Sequence, residues 1–268
     1  MRHLVRILVS SAMFAAGLAS ASAQDLTKDQ IQSADEFAVN NTWFVLYHEL
    51  GHMLIDQLGI PVLGKEEDAV DNIATYSLLA QDSEDADQAL MDATYGWVLA
   101  DQSVDSFENA DFYDEHSLDL QRAYAITCLM VGNDPERFKD AADYMEMDPD
   151  RQESCANDYA QVEQSLIALL SPYIGKGEPI SVAYEDPGED YGWAEDILKR
   201  SKILEKTAED IGTSFNLPRP ITIHATLCGE ANAFYDPDKD RVLVCYELLG
   251  DYFNMLANDM LSDDGSSG

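Results

Sequence analysis

Two histidines four residues apart, in the run His48-Glu49-Leu50-Gly51-His52, lie one above the other on one face if the run is helical, so both imidazoles can point at a single ion. Glu49, beside the first histidine, is then placed to take a proton from water whose pKa a zinc ion lowers to near neutrality. A catalytic zinc has three protein ligands and one open position, so a third ligand must come from elsewhere. Glu67, in the run Glu66-Glu67-Asp68-Ala69-Val70-Asp71, is the preferred candidate, because it alone has an aspartate four residues later and shares a face with Val70 and Ala74. Glu66 and Asp68 compete with it. Asp71 can accept the spare N–H of a ligating imidazole and so fix its tautomer. The expected set is one Zn2+ per chain on His48, His52 and Glu67. A chance match is the bland alternative, and a helix dipole alone favours one or two acids at a helix start. It does not explain their following the histidine run at this distance.

The elements that must hold these residues are legible. Phe44, Tyr47, Leu50, Gly51, Leu54, Ile55 and Leu58 recur at helical spacing, and Gly59 with Pro61 ends the run. Gly51 has no side chain where a packed neighbour would sit. Residues 59–65 form a short reversal, and a second helix begins near Glu66 with Val70, Ile73, Ala74, Ser77 and Leu78 as its inner stripe.

On these residues the chain resembles the gluzincins, the thermolysin-like metallopeptidases that carry HExxH and a downstream Glu-x-x-x-Asp. His116 and Arg122, in His116-Ser117-Leu118-Asp119-Leu120-Gln121-Arg122, are similar to the His-Pro-…-Arg segment of the CAAX-protease and heat-shock gluzincins, with Ser117 where that family has proline. The resemblance implies that this segment borders the active site. Residues 228–235 and 245–248 also match Cys-Gly-x-x-Asn-Ala-Phe-Tyr and Cys-Tyr-Glu-Leu segments of an exported bacterial metallopeptidase family with no known substrate. Developing negative charge on a tetrahedral intermediate needs a donor besides the metal, and His116 or Arg122 is the best candidate.

Arg2 and Arg6, a short apolar stretch over residues 4–19 and Ala21-Ser22-Ala23 together read as a secretory signal peptide cleaved after Ala23. The expected location is periplasmic or secreted. Losing Arg2 and Arg6, with no acid among residues 1–23, takes the basic count from 16 to 14 against 51 acids, a net charge of −37. Such a surface repels nucleic acid and anionic lipid, while cationic peptides can be steered toward it. No later segment is apolar and long enough for stable membrane insertion. Four cysteines in an exported chain suggest two disulfides, and Cys128–Cys155 with Cys228–Cys245 keeps each bridge within one local unit.

The rest reads as mostly helical, over residues 86–99, 118–131, 135–145, 154–170 and 193–215, with a linker over 171–190. Residues 221–225, 231–235 and 241–246 make a small antiparallel sheet. The expected class is α+β and zincin-like, with residues 24–268 as one domain. In the gluzincins a sheet with an Asn-Ala-Phe strand precedes the zinc helix, whereas here it follows, so the resemblance implies circular permutation. Residues 236–247 superficially match a calcium loop, but Arg241 stands where that loop needs glycine, and a hairpin turn is the better reading. The function expected is a zinc-dependent peptidase acting on a peptide or protein substrate, with water activated by Glu49. A zinc amidase acting on cell-wall peptide is the first alternative. A non-catalytic zinc-stabilised binding protein is the second, and the presence of Glu49 argues against it.

Overall fold

A computed structural model describes residues 26–104, 106–177 and 180–265, so the expected signal peptide lies outside the described residues. Thr27 opens helix α1 (Lys28–Leu58) with a reciprocal cap: its hydroxyl accepts from the Gln30 N–H, and the Gln30 side chain accepts from the Thr27 N–H. Gly59, at φ 61°, closes the helix in the left-handed conformation. This helix is longer than the stripe starting at Phe44 foretold. It carries a deep apolar face, with Phe44, Leu46, Tyr47, Leu50, Met53 and Leu54 all essentially inaccessible.

Helix α2 (Glu66–Leu79) runs back along α1 after the reversal at residues 59–65, and α3 (Glu84–Gln102) also packs on α1. Beyond them α4 (Asp119–Asn133) packs on α3 and on α6 (Pro149–Leu170), with the short α5 (Lys139–Tyr144) between. Helices α4 and α6 meet backbone to backbone, because a side chain at Gly132 would run into the Cys155 carbonyl. Cys128–Cys155 bridges the same two helices.

After α6 come a single 3-10 turn and strand β1 (Ser181–Tyr184). Then follow α7 (Gly192–Ser201), α8 (Ile203–Ser214), β2 (Thr222–Thr226), β3 (Ala233–Asp236), β4 (Arg241–Cys245) and α9 (Tyr246–Gly265). The α+β class, mostly helical with a small sheet, is as expected, and both disulfides join the expected cysteines. Four details differ. The sheet is mixed rather than antiparallel: in the order β1-β2-β4-β3, only β3 runs against its neighbour. Its first strand lies inside the presumed linker, where a four-residue Ser-Val-Ala-Tyr run is too short to show alternation. The return from β1 to β2 passes through α7 and α8, and such a crossover makes the pair parallel. The helix expected over 193–215 is two helices, because Lys202 takes φ 59° and its N–H closes α7 onto Leu198. Helix α9 has no counterpart in the sequence expectation; it packs along α1.

Strand β3, the edge of the sheet, lies against α1, and the Tyr235 hydroxyl donates to Asp56 at 2.8 Å, across 179 residues of sequence. Farther along α1, Trp43 Nε1 donates to Thr207 (2.9 Å) and the Tyr47 hydroxyl to Asp210 (2.8 Å), both on α8.

Two outcomes follow for stability. A Cβ at Gly51 would stand 2.9 Å from Val70 Cβ and 3.3 Å from its Cα, so backbone as well as side chain must give. Gly51→Ala gains about 1 kcal/mol of helix propensity but forces overpacking worth about 1–3 kcal/mol. We expect net destabilisation in urea melts, relieved by Val70→Ala; an unchanged or raised midpoint for Gly51→Ala would show that the α1–α2 contact is loose. A chain ending at Ser171 would bare Trp43 and Tyr47 and lose the wall formed by β3. It should give no cooperative unfolding transition by circular dichroism, and a cooperative, monomeric fragment would show instead that the second half is a separate domain.

Candidate metal centre

His48 and His52 stand one helical turn apart on α1, their rings edge to face with centroids 5.0 Å apart. The missing side chain at Gly51 lets α2 approach from the side, and the first turns of α2 then deliver four carboxylates to four different places. Glu66 accepts at His52 Nδ1, 2.8 Å away. Glu67 turns inward. Asp68 accepts from the Ser117 hydroxyl at 2.7 Å, and Asp71 meets His48 Nδ1 at 2.8 Å. The acids at this helix start are compatible with its dipole, and the positions beyond them decide what each one does.

At the centre is Glu67 Oε2. His116 Nε2 lies 3.0 Å from it, His48 Nε2 3.1 Å and His52 Nε2 3.4 Å. Despite these neighbours the oxygen is buried without a well-formed hydrogen bond. The donor atoms of His48, Glu67 and His116 all lie within 4.8 Å of one another. His52 lies outside that tight cluster. Nitrogen and carboxylate oxygen donors converging around an otherwise unsatisfied atom fit a divalent transition metal such as zinc. Burial raises the Glu67 pKa, but the three imidazoles outweigh it and hold the carboxyl far below its usual range. Burial likewise disfavours the charged form of His52, yet Glu67 and Glu66 push its pKa up to about 9. A metal cation in the centre would supply the positive charge that the imidazoles otherwise take on as protons.

Glu49 sits beside this cluster, 9% exposed, with the Tyr235 backbone N–H stabilising its charged form. Burial nevertheless raises its pKa, against the opposing pull of His48 and His52. A carboxyl displaced upward suits a group that must take and return protons near neutral pH.

Behind His48 runs a braced chain. Asp71 receives two hydrogen bonds from Arg122, from Nε at 2.7 Å and a terminal guanidinium nitrogen at 2.7 Å, and Arg122 lies flat over the Trp97 ring, 3.6 Å from its centroid. Arg122 and Asp71 are both buried. Burial pushes the Asp71 carboxyl up, but His48 and Arg122 together bring it below its usual value. His116 is different, being half-exposed and carried on the segment between α3 and α4. That segment is pinned to the start of α2 by Lys65 Nζ donating to the His116 carbonyl and by the Ser117–Asp68 bond. Asp114 accepts from the His116 backbone N–H at 2.9 Å and lies 3.3 Å from its Nδ1.

The site opens into a cleft of about 610 Å3, with the metal-facing residues on one side and residues 232–235 of the β3 edge with Pro237 on the other. Sequence reasoning did not find Glu66 and Asp114 as partners of imidazole Nδ1 atoms, the Trp97 stack, or the Tyr235 amide. Asp114, two residues before His116, was the one local signal. The Cys228–Cys245 bridge braces the loop that leads into β3, and Glu247 accepts from the Cys228 and Gly229 backbone N–H groups there.

No curated protein and no solved structure matches this sequence. A family model described as "Putative metallopeptidase" matches residues 6–170 and 184–266, a span that includes every residue of the cluster, the cleft wall and α9. A donor set that could hold a metal ion in an open cleft agrees with that description, and the chain belongs to this metallopeptidase family.

Proposed function

We propose that this chain is an exported, zinc-dependent peptidase of gluzincin type, and the observation that carries the reading is the convergence of three imidazole Nε2 atoms on Glu67 Oε2 with the buried Glu49 beside them. His48, His52 and Glu67 hold the metal. When bound, the zinc supplies a Lewis acid that makes water acidic near neutral pH and polarises a carbonyl. Glu49 takes the proton from the attacking water and returns it to the leaving amine. Asp71, fixed by Arg122, holds His48 in the tautomer that leaves Nε2 free. Of the two candidate donors to the developing oxyanion we choose His116, because its half-exposed imidazole lines the cleft, whereas Arg122 is buried and bonded to Asp71.

An extended peptide can add to the β3 edge, which has a strand partner on one side alone. The same reading takes the chain order as a circular permutation: a strand 179 residues beyond Asp56 forms the wall that a preceding strand supplies in the gluzincins. Export rests on the signal-peptide pattern of residues 1–23 and agrees with two disulfides. Among the described residues no helix is long and apolar enough to cross a membrane.

Metal analysis of purified protein should give about one zinc per chain. Glu49→Gln fills the same space without accepting a proton, so it should keep the metal and lose most hydrolysis of a broad peptide library. Undiminished hydrolysis would remove Glu49 from the mechanism. Among the neighbouring acids, Glu67→Ala should weaken zinc binding severely, whereas Asp68→Ala should leave it nearly unchanged. Asp71→Asn should cost on the order of 10–100-fold in affinity, the usual effect of losing a group that orients a ligand. Competition with a chromophoric chelator reads all three, and severe loss of zinc in Asp68→Ala rather than Glu67→Ala would reassign the third ligand.

A further inference from the structure

We infer that His116 is a fourth ligand of the metal when no substrate is present, and that it must leave the metal to open the site. The inference rests on the zinc reading above and adds a closed resting state to it.

Spacing is the first reason. Ligand atoms around a tetrahedral zinc, at bond lengths of about 2.0–2.2 Å, stand about 3.3–3.6 Å apart. His116, His48 and His52 present Nε2 to Glu67 Oε2 at 3.0, 3.1 and 3.4 Å, and that oxygen is nevertheless buried without a well-formed hydrogen bond. Contacts of this length that lack hydrogen-bond direction are compatible with atoms sharing a common ion. His116 belongs with His48 and Glu67 to the set of three whose donor atoms lie within 4.8 Å of one another, a set outside which His52 lies, so His116 is placed at least as well as His52 to share the ion.

The second reason is the tautomer. Each imidazole has a carboxylate at Nδ1: Asp71 for His48, Glu66 for His52 and Asp114 for His116. A carboxylate there holds the proton on Nδ1 and leaves the Nε2 lone pair for a metal. A neutral histidine serving solely to donate from Nε2 would need the opposite tautomer. Asp114 therefore gives His116 the same arrangement as the two helix ligands, although it comes from a different part of the chain.

What makes His116 the displaceable one is its location. Its side chain is 48% exposed, against 7% for His48 and 17% for His52, and it stands on a segment between helices rather than within one. Four protein ligands leave no open position, the state typical of structural zinc, whereas catalysis needs one. A substrate carbonyl entering the cleft would take the place of His116, and the freed Nε2 would take up a proton from solvent and so become the donor beside the oxygen that it is proposed to stabilise.

Cobalt(II) in place of zinc tests this without any substrate. The wild-type protein should give the intense visible absorption of a four-coordinate site and be indifferent to millimolar azide. His116→Ala should bind cobalt and zinc on the order of 100-fold more weakly, change the visible spectrum and take up azide. Asp114→Asn should weaken binding by about 10-fold, as loss of an orienting carboxylate does. His116→Gln, which preserves the bulk at this half-exposed position, guards against a folding defect and should also admit azide. If wild type and both His116 variants bind metal equally and respond alike to azide, His116 is not a ligand and the three-ligand zinc reading stands alone. If wild type binds no metal, both fall together.

Discussion

The α1–α2 contact at Gly51 and Val70 is the constraint on which the rest depends. Imidazoles on α1 project only a few ångströms, and a carboxylate on a second helix can share their focus only if the two backbones come nearly into contact. The 2.9 Å between a virtual Cβ on Gly51 and Val70 Cβ shows how little room is left. A larger residue at position 51 would move α2 outward and carry Glu66, Glu67, Asp68 and Asp71 away together. Four separate interactions, with His52, the centre, Ser117 and His48, thus hang on one absent methyl group.

Around that contact the few basic side chains of this acidic chain are committed to particular partners. Arg122 is spent on Asp71 and Trp97, Lys65 on the His116 carbonyl, and Arg219 on Asp56 and Asp240. The last of these matters for the cleft, because Asp56 also receives the Tyr235 hydroxyl and so ties the edge strand to the end of α1. The buried Arg122–Asp71 pair contributes little net stability but is costly to break singly, so it acts here as fixed geometry.

The histidine helix, the reversal at Gly59 and the start of α2 at Glu66 were legible because each is local: a helical stripe, a glycine in the left-handed region, and acids at a helix start. The helical α+β class and both disulfides were legible for the same reason. The direction of the strands was not. A parallel pair is defined by its crossover, and β1 lay hidden in four residues between Gly-rich and Pro-rich turns. The break at Lys202 was equally hidden, since the apolar period continues across it. Glu66 at His52 Nδ1 and the stack of Trp97 on Arg122 are tertiary pairings, and spacing along the chain carries no record of them; Asp114, two residues before His116, is the local exception.

The bridge between Cys228 and Cys245 has a consequence in time rather than in space. It fastens the loop before β3 to the end of β4, and β3 is the strand that faces the histidines across the cleft. Until that bond forms, the loop is held by weaker links such as the Glu247 carboxylate on two backbone N–H groups and the Cys245 N–H on the Asn232 carbonyl. In a reducing compartment the bond is absent, because thiols there are kept reduced. On the proposed route of export, the far wall of the cleft is therefore secured only once the chain has reached an oxidising environment, and the covalent step that completes the site would also separate the newly made chain from the working one.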